Sequence, residues 1–134
     1  MALAVLLAFG IQAAVGVVLL TGWWRHGRAS KAVVAAHVGP ALLAFALWAV
    51  FVLDGSVGWG WASLGVLTVA NTFGDELLRA RARRLVGRRS FWRDYGAAVV
   101  AVLRGRFPRP VTFHALFAGV VYFGSLVVCL VETL

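Results

Sequence analysis

A chain of 134 residues has the length of one domain. With 62% apolar residues, 13% charged residues and a mean hydropathy of +0.90, it carries more apolar surface than a water-soluble domain can cover. The net charge of +8 is not spread over the chain, and its placement argues for membrane topology and against nucleic acid as a partner.

The first apolar run, Ala2 to Gly22, is broken only by Gln12. It superficially resembles a signal peptide, but it has no positive leading segment and its apolar stretch is too long. The expectation is a retained membrane helix. Trp23 and Trp24 follow, then Arg25, the arrangement of an interfacial anchor. The short basic turn Arg25 to Lys31 makes the first two helices antiparallel neighbours.

The second run, Ala32 to Leu53, has no charge and holds His37 and Pro40 near its start. Proline at that depth removes a backbone bond and is expected to kink the helix. The turn Asp54 to Gly58 has no basic residue, and Trp59 and Trp61 after it mark a second interface. A third run, Gly58 to Leu78, meets Asn71 and Thr72, then Asp75 and Glu76. Asp75 and Arg79 stand four apart, the spacing for a pair on one helix face. Asn71 and Gln12 are read as interhelical hydrogen-bonding residues.

From Arg79 to Pro110 the chain is basic: ten of the thirteen Lys and Arg lie here, and the other three lie in Arg25 to Lys31. Within it, Ser90 is placed to cap a short helix, Phe91 to Arg104. That helix is too short to cross and has Arg at both ends and aromatics in front, which suits the membrane interface. Pro108 and Pro110 break the chain before the fourth run, Val111 to Val131.

These runs predict an all-α polytopic membrane protein. Residues 1–134 form a single antiparallel four-helix transmembrane bundle, with spans 2–22, 32–53, 58–78 and 111–131 and an interfacial amphipathic helix in the third loop. The basic loop 79–110 is cytoplasmic under the positive-inside rule, so both termini lie on the other side of the inner (plasma) membrane. The partners expected are the bilayer itself, anionic lipids at the basic loop, and copies of the chain or subunits of a membrane complex.

Two histidines give the candidate site. His37 is six residues past Lys31, and His114 is five past Arg109. Both therefore lie roughly 7–9 Å along their helices from the basic boundary, in one leaflet. In an up-down-up-down bundle their helices are diagonal, so the two imidazoles can face each other across the axis. That suits axial ligation of one haem b iron, with cytoplasmic Arg residues receiving propionates. A weaker alternative adds Asp75 and Glu76 to the pair as a mixed N/O metal site, although the neighbouring Arg residues favour salt bridges for those acids. Structural hydrogen bonding is the plain reading of both histidines. Cys129, the single cysteine, has no partner for a disulfide or a CxxC motif and is read as a small apolar residue. Hydrolase and nucleotide motifs such as GxSxG, HExxH and the Walker loop are absent. Gly16, Gly22, Gly60, Gly65 and Gly124 are read as helix-packing or turn residues.

Two stretches carry a resemblance. One is His37-Val38-Gly39-Pro40-Ala41-Leu42-Leu43 running on to Trp48 and Phe51; the other is Phe107-Pro108-Arg109-Pro110-Val111-Thr112-Phe113-His114-Ala115-Leu116. In these the chain resembles small, largely uncharacterised four-span membrane proteins of actinobacteria. The resemblance covers most of the chain and implies an inner-membrane protein without a settled activity. The Arg-rich third loop is longer than in the compact form of that group. There is also a partial likeness to His-ligated haem cytochrome b bundles, one of whose two His pairs is missing here. The leading functional expectation is a structural, accessory or partner-binding membrane protein rather than an enzyme. The rivals are a single-haem b-type redox protein and a small transporter, the last lacking an intramembrane carboxylate for proton coupling.

Overall fold

A computed structural model describes residues 1–27, 29–87 and 90–134. Among them all regular structure is helical, in the order α1 (Ala2–His26), α2 (Lys31–Asp54), α3 (Val57–Val86), α4 (Phe91–Leu103) and α5 (Arg109–Thr133). Three of these, α1, α2 and α5, are long and apolar enough to cross a membrane. α3 is long as well, but Trp, Gly, Ser and Asn dilute its apolar run and its last third is basic. Arg28 in the first basic turn, and Arg88 and Arg89 in the second, lie outside the described residues.

The helix limits follow local chemistry. Gly55 takes a left-handed φ of 75° and its N–H bonds the Phe51 carbonyl at 2.9 Å, which ends α2 at Asp54. Gly105, at φ 60°, ends α4 in the same way. Ser90 does stand at the N-cap of α4, although its side chain makes no cap bond. α2 runs unbroken through Pro40. The largest departure from expectation is α3. It continues eight residues past Leu78, so 79–86 is helix rather than loop. Hydropathy falls at Arg79, but Arg, Ala and Leu are all strong helix formers, and cations in a last turn complement the helix dipole.

Among the described residues α1 packs against α2 and α5, while α3 packs against α2, α5 and α4; α2 with α3 is the most extensive contact. The pairs α1–α3 and α2–α5 do not touch through their backbones. The four long helices therefore form a ring in which α2 and α5 are diagonal.

Two cores fill it. One gathers Phe9, Trp48, Phe51, Leu67, Val121, Val128 and Cys129 from all four long helices. Trp48 is wholly buried, lies against Phe51 with ring centroids 5.2 Å apart, and donates its indole N–H to the Ala2 carbonyl at 3.0 Å. The other core is built of smaller residues, Ala82, Ala98, Ala101 and Val102, with Phe107 and Val111. It joins α4 to α3 and α5. Above it, Arg83 forks between Asp94 at 2.6 Å and Glu76 at 3.1 Å, and Arg79 pairs with Glu76 at 2.6 Å. The hydrogen bond from Arg83 to Asp94 raises the guanidinium above its ordinary range, so this link between α3 and α4 stays charged. Arg79 thus takes Glu76, three residues back, in place of the expected Asp75.

Candidate functional site: a histidine pair between the two cores

The level of His37 and His114 lies between these cores along α3 and α5, the two long helices with buried residues in both. Along α3 the order is Leu67, Gly74, Ala82; along α5 it is Val111, His114, Val121. The imidazole centroids are 6.1 Å apart, with ring planes at 81°. Helices whose backbones do not touch thus meet through these two side chains.

His37 is seated on α3. Its Nδ1 is 2.8 Å from the Ala70 carbonyl oxygen. A carbonyl can only accept, so Nδ1 carries the proton and the neutral ring keeps its lone pair on Nε2. The seat exists because residue 74 is glycine: a Cβ there would come within 3.0 Å of Cε1 and 3.1 Å of Nδ1 of the imidazole. Nothing larger fits without moving the ring.

His114 is seated on α1. Gly16 leaves room for it, with His114 Cε1 3.4 Å from where a Cβ would stand. Gln12 donates its amide N–H to the His114 backbone carbonyl at 3.0 Å, the interhelical bond expected of it. Gln12 Oε1 and His114 Nδ1 are both buried without a partner. A third such atom is Arg79 Nε, on α3 five residues beyond Gly74.

The acids do not join the histidines as a ligand set. Glu76 is occupied by Arg79 and Arg83. Asp75 is exposed as a residue, and partial burial of its carboxyl raises its pKa despite the opposing charge of Arg79. No group of three or more His, Cys, Asp or Glu among the described residues could hold a metal ion. The reason is geometric, since consecutive residues point about 100° apart around a helix. The four-residue set His37, His114, Asp75 and Glu76 is therefore not assembled, whereas the two-histidine set is close-packed.

Several features were not read from sequence. Gly74 was passed over, although Ala70 and Gly74 form a small-xxx-small pair, the usual mark of close approach. The Asn71 side chain makes no hydrogen bond among the described residues, whereas a Cβ at Gly60 would press on Phe51 and Cys129. Gly22 and Gly65 have nothing near enough to contact a side chain.

In comparisons with protein-family models, curated proteins and solved structures, nothing matches this chain.

Proposed function

We propose that this chain is a multi-pass inner-membrane protein whose His37–His114 pair would hold one haem iron, making it a single-haem electron carrier. The spans are α1, α2, the front of α3, and α5. Three of them are long and apolar enough by themselves. For α3 the support is its uncharged stretch from Val57 to Gly74, roughly 27 Å at helical rise against a hydrocarbon core of about 30 Å. All thirteen cations fall in the sequence stretches 25–31 and 79–109, where α1 passes to α2 and α3 to α5, which favours that side as cytoplasmic and both termini as external.

The observation that carries the haem reading is the separation of the rings. With one nitrogen of each ring on the line between the centroids, two metal–nitrogen bonds of about 2 Å plus about 1 Å from nitrogen to centroid in each imidazole would sum to roughly 6 Å. The centroids are 6.1 Å apart. The His37 N–H to the Ala70 carbonyl is the outer bond that ligating histidines ordinarily make; it fixes the tautomer and raises ligand basicity. Arg79 Nη1 is held by Glu76, but its buried Nε–H has no partner among the described residues and would be open to a propionate. A haem held by His37 and His114 would supply one-electron transfer.

The visible spectrum of protein purified from haem-replete cells tests this. The expected result is a Soret band that sharpens and shifts on dithionite reduction and is lost in His37→Ala and in His114→Ala. A colourless wild-type preparation overturns the haem reading and leaves the accessory, partner-binding role in its place.

A further inference from the structure

Outside the histidine pair, the most featured surface is on α4. One face of that helix, Asp94, Ala98, Ala101 and Val102, is buried against α3 and α5. The other presents Trp92 at 78% exposure and Leu103 at 70%, with Tyr95 and Val99 between them. Among the described residues none buries Trp92 or Leu103. Beside them, between α3 and α4, runs a cleft of about 300 Å³ whose lining includes the buried Ala82 and Ala101 as its apolar floor and Leu85, Ala97 and Val100 toward its opening. Arg93 and Arg106 stand at its walls. Among the described residues neither guanidinium has an ion-pair partner, because the acids nearby are already engaged with Arg79 and Arg83.

Two free guanidinium groups over an apolar floor, beside a row of exposed aromatic and aliphatic side chains, match one kind of occupant. Guanidinium forks recognise phosphate oxygens. The exposed Trp and Tyr fit the head-group level of a bilayer. A floor without hydrogen-bonding side chains favours an acyl chain over a sugar or a base.

We infer that the α3–α4 cleft binds the head group of an anionic phospholipid, with Arg93 and Arg106 on the phosphate and the upper acyl chain along Leu85, Ala97 and Val100. The inference rests on the membrane reading above and is independent of the haem. It makes α4 a lipid-reading element as well as a surface helix.

Native mass spectrometry of the full chain, released from detergent with phosphatidylglycerol or phosphatidylcholine, tests it. The expected result is retention of one phosphatidylglycerol at least tenfold over phosphatidylcholine. Arg93→Gln with Arg106→Gln should lower that retention about 30-fold, taking about fivefold per cation near a membrane surface. Gly96→Leu should lower it with the charge unchanged, since the cleft wall at Gly96 is open space. Circular dichroism establishes that both variants keep their helices. Equal retention of the two lipids, or no change in the double variant, overturns the inference. So does displacement of the lipid by millimolar inorganic phosphate, which would make the ligand a free phosphate compound. Carbonate washing separates the two levels. Release of the chain from membranes sinks the membrane reading, whereas a carbonate-resistant chain without lipid preference sinks only this site.

Discussion

The two cores of this molecule are held together by different physics. Around Trp48 the packing is aromatic and aliphatic, with indole and phenyl rings filling the space among four helices and no ion pair within it. Beneath α4 the side chains are mostly alanine and valine, which let α4 approach α3 closely, and the joint is closed by Arg83 reaching Asp94. The first solution suits a low-dielectric surrounding, where bulk and shape do the holding. The second suits a boundary with water, where charges keep part of their hydration and still pair. The histidines stand at the change from one regime to the other, with apolar packing on one side and guanidinium groups on the other.

That contrast can be broken one side at a time. The largest effect expected is from Trp48→Ala, which empties the wholly buried centre of the first core and should cost about 3–5 kcal/mol. Thermal unfolding in detergent would show it as a lower transition temperature for the whole molecule. Asp94→Ala should cost about 2 kcal/mol, the worth of a charge-assisted bond to a buried carboxylate. Its signature is regional: hydrogen exchange should quicken across 91–103 and stay unchanged in the Trp48 core. Gly74→Ala is expected to cost about 1 kcal/mol, the helix gain from alanine being outweighed by displacement of the His37 ring. Gly16→Ala, where the neighbour is at ordinary contact distance, should instead stabilise by about 0.5 kcal/mol. A matching response of the two glycine variants would mean that the two imidazoles are equally free to move. The smallest effect is from Trp61→Phe, which removes an exposed bond to Thr133 at about 0.5 kcal/mol.

Much of the architecture was legible because charge and hydropathy change together in most of the chain. The ends of α1, α2 and α5 fall within a few residues of the apolar runs, and α4 begins at Phe91, directly after Ser90. The end of α3 was not legible from the same signal, because past Leu78 the sequence turns charged while its helix propensity stays high. The depth of the two histidines could be measured from the basic boundary, but their bearing around the helix could not. A helix that is apolar on all sides has no face that the sequence marks, and α2 is such a helix. The choice of Glu76 over Asp75 as the Arg79 partner was open for a related reason, since spacings of three and four both bring side chains together. The seat of His37 on Gly74 needed the coordinates, because glycine in an apolar run serves many purposes.

The turn at Gly55 and Ser56 has a consequence for the order of assembly. It joins α2 directly to α3, the pair with the most extensive packing, so this hairpin needs the least chain closure to form. The bond from His37 to the Ala70 carbonyl lies wholly within that hairpin. One imidazole is therefore oriented, and its tautomer chosen, by the middle of the chain alone. The other arrives later in the chain, on α5, and the pair is complete only when that helix docks.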